Sequence, residues 1–464
     1  MRKELNSKKW IDKNNIQKIL YDFQIDALNL VTRYLNSHTT DHALIKMPTG
    51  TGKTVLIGLL SHFYSGVKNI LIVTPSLAVK KHLLFEIEKN IIEKFNLTNS
   101  NIKVVKELLP SKLESSLQNK PCVYISTVKG LSDIKSKTND YQKLKEKIDL
   151  VIFDEGHREP AEEWQLAIRN LEKKVILFTA TPIRNDNNKF KFNKDFVFNF
   201  PFEAAVENNY VRNVRFNLLE NKDVRSFTED IIKKFEKFEN EYKIILRFKN
   251  PEEIGQALQV LRERDKRAIA IHDTFSSEDA HSDMVKNVPG DIKSRAESYW
   301  LHQNKMLEGL DDYKIVAVAI YGTFKDVRSL VQQVGRIIRH SNFGKDSIYQ
   351  EFGEVYYQSS DQDQEKLWEE YIFYEKKLSL NKDLIFFNFE DYMQKIINGH
   401  PDILHNEKRF LKKIEHRSKK EDILYKYKLP LRTNIYIYNQ NYIDFHVLIK
   451  NVKEFFALED YYVI

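Results

Sequence analysis

The sequence predicts an α/β protein: two tandem, doubly wound parallel-sheet lobes followed by an α+β C-terminal extension. Three observations lead to this. Short apolar, β-rich runs alternate with helical patterns through the first third of the chain, the rhythm of strand–helix–strand units. A second series of the same kind begins near residue 243. Between them lie a polar stretch, residues 184–195, and an amphipathic helical pattern near 202–209, which read as a boundary.

In order, the first series supplies strands at 42–47, 69–74, 121–126, 149–154 and 174–179, with helices such as 55–64 and 77–95 between them. Runs such as Val151-Ile152-Phe153 are apolar throughout rather than alternating, because a parallel strand covered by helices is buried on both faces. The second series places strands at 243–247, 267–272, 298–303 and 315–321, then one at 354–359 and a helix at 362–378. Residues 1–200 are thus expected to form the first lobe, 201–212 a linker, 213–380 the second lobe and 381–464 the extension. Within the extension, 406–428 reads as a charged helix and 434–450 as a hairpin turning at Asn439-Gln440-Asn441.

Composition narrows the class. The 464 residues suit two or three domains at roughly 100–200 residues each. A single cysteine, Cys122, excludes an intrachain disulfide and a cysteine-based zinc or iron–sulfur site. The polar start has no signal-peptide pattern, and no apolar run reaches the roughly 20 residues that span a bilayer. A soluble cytoplasmic protein, with no membrane partner, is the expectation. The net charge of +7 suits an anionic partner such as nucleic acid.

Two motifs carry chemistry. The strand at 43–47 runs into Pro48-Thr49-Gly50-Thr51-Gly52-Lys53-Thr54 and then a helix. Glycines let backbone N–H groups turn inward around phosphate oxygens, and a helix N-terminus adds positive partial charge. Lys53 reaches the β- and γ-phosphates and Thr54 ligates Mg²⁺ in such a loop; Met47 stands where the strict pattern has glycine. Downstream, Val151-Ile152-Phe153 ends in Asp154-Glu155-Gly156-His157. A carboxylate at a strand's C-terminal end faces the crevice where open α/β sheets bind ligands. Asp154 suits a hold on Mg²⁺, and Glu155 suits the base that orients an attacking water.

Taken together, residues 20–340 resemble the superfamily 2 helicases of the DExH-box type, with motifs in the family's order. The resemblance implies RecA-like lobes and ATP as cofactor with Mg²⁺. It also implies a base-reading role for Gln24 in Tyr21-Asp22-Phe23-Gln24, where Tyr21 replaces a frequent arginine. Residues 47–54 are motif I, so that Thr49, Gly50, Thr51, Gly52, Lys53 and Thr54 would hold nucleotide. Thr74-Pro75-Ser76 resembles motif Ia, and Ser126-Thr127 the next phosphate-backbone motif. Asp154-Glu155-Gly156-His157 is similar to a DExH box. Thr179-Ala180-Thr181-Pro182 resembles motif III, which links nucleotide to nucleic acid. Pro75, Ser76, Ser126, Thr127, His157, Thr179 and Thr181 are therefore expected at nucleic-acid or coupling contacts. In the second lobe, 244–247 resembles motif IV. Residues 306–312 resemble motif V, with Gly309 and Asp311 approaching nucleotide. Gln332-Gln333-Val334-Gly335-Arg336-Ile337-Ile338-Arg339 resembles motif VI, with Gln332 at nucleotide and Arg336 and Arg339 as arginine fingers. Guanidinium suits that role because it stays charged and binds phosphate oxygens as a fork.

The resemblance splits the site: Lys53, Asp154 and Glu155 on one lobe, Arg336 and Arg339 on the other. Closure around ATP would complete it and hydrolysis release it. The implied function is an ATP-dependent DNA helicase or translocase on single-stranded or duplex DNA. The Thr-Ala-Thr-Pro and motif VI forms are more similar to the restriction-subunit and repair branches than to the RNA-acting DEAD-box branch. An RNA helicase, a stand-alone repair or recombination helicase, and a scaffold with a vestigial ATPase stay open. A looser similarity of 306–339 to Hachiman-type phage-defence helicases suggests a separate effector, a nuclease. Other features read as structural. His157, His272 and His302 lack a metal-ligand spacing. Lys408, Arg409, Lys412, Lys413, Arg417, Lys419 and Lys420 are interspersed with acids and suit a solvated helix face, with phosphate tracking as the alternative; Tyr436, Tyr438, Tyr442 and Phe445 suit a core, with a base-stacking platform as the alternative.

Overall fold

The computed structural model describes residues 3–380 except 12, 97–101, 156–166, 181–191, 221–222, 276–282, 290–291, 307–311, 325–326, 340–351 and 359–363. These residues form two seven-stranded sheets in which every pairing is parallel. The first contains β1 (His42–Lys46), β2 (Ile70–Thr74), β3 (Val104–Glu107), β4 (Cys122–Thr127), β5 (Leu150–Asp154), β6 (Lys174–Thr179) and β7 (Phe192–Asn199), in the spatial order β3-β4-β2-β5-β6-β1-β7. The second contains β8 (Asn213–Leu219), β9 (Lys243–Arg247), β10 (Ala268–Ile271), β11 (Met284–Val285), β12 (Tyr299–His302), β13 (Ile315–Ile320) and β14 (Phe352–Gln358), ordered β11-β10-β12-β9-β13-β14-β8.

Successive side chains of a strand point to opposite faces, and here both faces are covered. In the first sheet Ala43, Ile45, Ile70, Ile72 and Ile152 pack with Leu28, Val31 and Leu56 of the helices Asp22–Asn36 and Lys53–Phe63. Leu44, Leu71, Val73, Val151 and Phe153 face the other way, onto Val128, Leu131 and Ile134 of the helix Val128–Lys135. The second sheet repeats the plan. Ile244 and Leu246 pack with the helices Val224–Phe235 and Pro251–Glu263, while Ile245 and Val318 face the helices Val327–Val334 and Gln364–Leu380. This is why the central strands read as unbroken apolar runs.

β7 ends the first sheet at Asn199, and β8 opens the second at Asn213. The polar stretch 184–195 overlaps the start of β7, where Phe192 pairs with His42 of β1 before the register shifts and resumes at Val197 opposite Leu44. The short helix Phe202–Glu207 and residues 208–212 then lead to β8. The expected helix at 406–428 and hairpin at 434–450 lie outside the described residues.

Candidate functional site

Because the strands are parallel, all their C-terminal ends meet one edge of each sheet, and the site is assembled there. β1 ends at Lys46; Met47 then donates its N–H to the Thr179 carbonyl at the end of β6, 3.0 Å away. Pro48 to Gly52 follow as a tight loop. Gly50 and Gly52 have φ of +84° and +89°, in the left-handed region that glycine enters at least cost. Gly52 is also the N-cap of the helix Lys53–Phe63. Thr51 Oγ1 donates to the Pro48 carbonyl at 2.7 Å and closes the loop. The Lys53 ammonium lies across it, donating to the carbonyls of Met47 and Pro48 at 3.1 and 3.2 Å. Thr54 is the next helical residue, half-buried beside it.

Four further charges act on Lys53. Burial holds its ammonium below the ordinary lysine range; the carboxylates of Glu155 and Asp154 oppose this, and the guanidiniums of Arg339 and Arg336 add to it. Asp154 is the last residue of β5 and is buried. Glu155, just past the strand end, sits at φ +54°. A non-glycine residue in that region costs on the order of 1–3 kcal/mol, so the surrounding structure must hold the turn in place. Such strain concentrates where side chains must be aimed.

The two arginines come from the second sheet's side of the crevice. The helix Val327–Val334 carries Gln332 and Gln333, both buried, and runs into Gly335 and Arg336. A Cβ added at Gly335 would come within 2.8 Å of Thr49 Oγ1, and one at Gly50 within 3.0 Å of Arg339 Cγ. Motif VI therefore presses directly on the phosphate loop. A residue that sequence reasoning missed fixes it there. Arg212, buried between the helix Phe202–Glu207 and β8, donates from Nη1 to the carbonyls of Ile337 (3.0 Å) and Arg339, and from Nη2 to Tyr313 (3.2 Å). Its backbone N–H donates to Ile338 O at 2.7 Å. Burial pulls its guanidinium down to about 10. A lone arginine in a connecting segment has no pattern that announces it.

Gln24 reaches the same loop. Its Nε2 donates to the Thr51 carbonyl at 2.8 Å, its Oε1 accepts the Tyr21 N–H at 3.1 Å, and a Cβ on Gly52 would lie 2.5 Å from Nε2. Tyr21, exposed, stands against Tyr210 with ring centroids 4.5 Å apart.

The other expected contacts on the first lobe lie along the same sheet edge. β2 and β4 pair to their ends, Thr74 opposite Thr127. Each passes directly into a capped helix. Ser76 Oγ accepts the Val79 N–H at 3.3 Å at the start of Leu77–Phe85, with Pro75 before it, and Thr127 Oγ1 accepts the Gly130 N–H at 3.0 Å. Ser126 donates to the Thr127 carbonyl, 3.2 Å. Two helix N-termini thus open side by side.

In the second lobe, Arg247 at the end of β9 donates to Thr323 O (3.2 Å) and lies over the Phe324 ring. Asp312 pairs with Lys243 at 2.8 Å, both buried, a structural role inside that lobe. His302 is fully buried, and its Nδ1 accepts the Met306 N–H at 3.2 Å. The ring proton is therefore assigned to Nε2, beside the buried Gln333 amide. Burial, with the Arg247 charge, pushes His302 down to about 3. His157, Thr181, Gly309 and Asp311 lie outside the described residues. Among those residues no group of three or more His, Cys, Asp or Glu side chains gathers as a metal cage. None of the described helices is long and apolar enough to cross a membrane.

Residues 17–184 match the family described as type III restriction enzyme, res subunit. No curated protein matches the chain in sequence. Among solved structures the chain is similar to S. cerevisiae Dbp5 bound to RNA and ADP BeF3, at 14% identity and TM-score 0.52, over 77% of this chain and 88% of that one. It is also similar to Mycobacterium smegmatis helicase Lhr bound to ssDNA and AMP-PNP, at 17% identity and TM-score 0.54, over 76% of this chain and 48% of that one. At these identities the likeness is one of fold: tandem RecA-like lobes.

Proposed function

We propose that the chain is an ATP-hydrolysing nucleic-acid motor of the superfamily 2 helicase type, acting as a DNA helicase or translocase. The observation that carries this reading is the meeting of Asp154 and Glu155 from one lobe with Arg336 and Arg339 from the other around Lys53. In this reading Lys53 and the inward N–H groups of residues 49–54 hold the β- and γ-phosphates. Gln24 has one amide hydrogen committed to Thr51 O, which leaves the other for the base. Thr54 and Asp154 offer a hydroxyl and a carboxylate, the hard oxygen donors that Mg²⁺ takes, and would hold it. When bound, that ion neutralises phosphate charge. Glu155 orients the water and accepts its proton as the water oxygen bonds to the γ-phosphorus and the bond to the β,γ-bridging oxygen breaks. Arg336 and Arg339 neutralise the charge gathering on the transferring oxygens. Gln332 lies beside them in motif VI. Thr179, whose carbonyl accepts the Met47 N–H, links the loop to the motif III segment that begins with it.

The helix N-termini at Ser76 and Thr127 would take backbone phosphates, since each offers N–H groups and positive partial charge. The match of residues 17–184 to a restriction-enzyme subunit supports DNA as the substrate. It also supports service to a separate nuclease in a phage-defence or DNA-processing system; a stand-alone repair helicase is the alternative. The deciding experiment measures ATP turnover with single-stranded, duplex and forked DNA and with RNA in parallel. Stimulation by DNA above RNA is expected. Preference for RNA would reassign the substrate, and indifference to every nucleic acid would remove the motor.

A further inference from the structure

Lys46 is the last residue of β1, one position before the phosphate loop begins. A lysine there should be costly: it is flanked by β6 and β7, and its side chain is 0% exposed. Its partner comes from the last described helix of the chain. The ammonium pairs with Glu375 in the helix Gln364–Leu380, whose side chain is 2% exposed. The same groups tie down the chain connecting the sheets. Lys46 donates to the Phe200 carbonyl at 3.4 Å, and Glu375 Oε2 accepts the Phe202 N–H at 2.7 Å. Glu375 Oε1 also accepts the Tyr371 hydroxyl at 2.6 Å, and Trp368 of that helix meets the Phe202 ring edge-on at 5.3 Å. One buried knot therefore joins the strand that carries the phosphate loop, the inter-lobe connection and the last described helix.

A buried ion pair gains little net stability over apolar side chains of the same size, because desolvating both charges offsets their attraction. What it supplies is direction: it is satisfied in one register of the two elements and leaves two buried charges exposed to loss in any other. We propose that Lys46 and Glu375 are a positioning pair, a fixed pivot about which the two lobes turn as the nucleotide site opens and closes. The proposal rests on the motor reading. The pair acts by keeping Arg336 and Arg339 in register with Lys53 while the far sides of the lobes move.

The test uses the full chain with Glu375→Gln and Lys46→Met, and the double variant Lys46→Met/Glu375→Leu, which has no unpaired buried charge. Each is measured for equilibrium ATP affinity, kcat and thermal midpoint. Each also carries a distance label between Lys81→Cys and Lys237→Cys, exposed positions on the two lobes; Cys122 is buried and stays unlabelled. Loss of the pivot should leave ATP affinity near the parent's, because Lys53 is untouched. It should lower kcat by roughly 2- to 30-fold, the range of mutations that act through coupling, and broaden the inter-lobe distance distribution. The double variant should recover the thermal midpoint but not the kcat. If the singles do not fold, the double variant alone decides by the same readouts. An unchanged distance distribution, or a kcat that returns with the thermal midpoint, overturns the pivot. A parent protein that does not hydrolyse ATP instead overturns the motor reading and is recognised before any variant is compared.

Discussion

Lys53 and Glu155 separate binding from chemistry. Lys53→Ala removes the ammonium that donates to the Met47 and Pro48 carbonyls, and ATP binding and turnover should both be lost. Glu155→Gln keeps the shape and should bind ATP normally while kcat falls roughly 10²- to 10⁴-fold, the usual value of a positioned general base. Near-parental turnover by folded Glu155→Gln would assign the base elsewhere. Arg212 tests how the arginines are held. Its fork satisfies three carbonyls around motif VI, and each buried acceptor left unsatisfied costs about 1–3 kcal/mol. Arg212→Ala should lower both the thermal midpoint and kcat with little change in ATP affinity. Arg212→Lys should recover only part, since an ammonium cannot span the fork. Full activity in Arg212→Lys would refute a positioning role. His302 predicts acid sensitivity. An unfolded histidine takes its proton near pH 6.5, whereas burial and the Arg247 charge hold folded His302 to about 3. Between those values the unfolded chain binds more protons. Stability from His302, complete above pH 6.5, is thus lost as pH falls toward 3, by up to ~1.4 kcal/mol per pH unit. Urea midpoints of His302→Gln at pH 7 and pH 5 should differ less than the parent's; equal differences would locate the sensitive group elsewhere.

At the scale of elements, helix starts give a controlled comparison. Ser76, Thr127 and Asn250 each cap a helix through the side chain, Asn250 by accepting the Glu253 N–H at 2.8 Å. Replacing any of them with alanine should cost about 1 kcal/mol of stability. Only Ser76→Ala and Thr127→Ala should also weaken nucleic-acid binding, because Asn250 caps a helix of the second lobe and not one at the shared edge of β2 and β4. Equal binding losses in all three, by fluorescence anisotropy, would remove the phosphate role of the first two. The strands themselves show what could be read. The central ones were legible because burial on both faces demands apolar residues in sequence: Leu150-Val151-Ile152-Phe153 admits little else. The strands missed were β3, β7, β8 and β11, and these are the four sheet edges. Phe192-Asn193-Lys194-Asp195 in β7 and Asn213-Val214-Arg215-Phe216 in β8 keep polar residues toward water, and so resemble loops. Likewise the site motifs were legible, since phosphate chemistry restricts residue type and spacing together. Arg212, Lys46 and Glu375 were not, because each acts through a partner more than 120 positions away in sequence.

For the whole molecule, the crevice between the lobes is the functional unit. Its first-lobe edge offers helix N-termini, and in the proposed reading a chain of net charge +7 would lie against a polyanion. Nucleic-acid-stimulated turnover should therefore weaken steeply with added salt, since each phosphate neutralised releases counterions. A stimulation constant that does not move between low and moderate salt would argue against phosphate-led binding. The strand order has a further consequence, for how the protein is made. Among the described residues β8, emerging near the start of the second lobe, has one strand partner, β14, which is also the last strand of that sheet in sequence. A ribosome must add all of residues 220–351 before β8 finds its neighbour. Throughout that interval a strand with an apolar face, including Phe216 and the exposed Leu218, waits unpaired. The second lobe is thus most vulnerable to misassociation during synthesis, and holding that strand apart from other nascent chains is work for a chaperone.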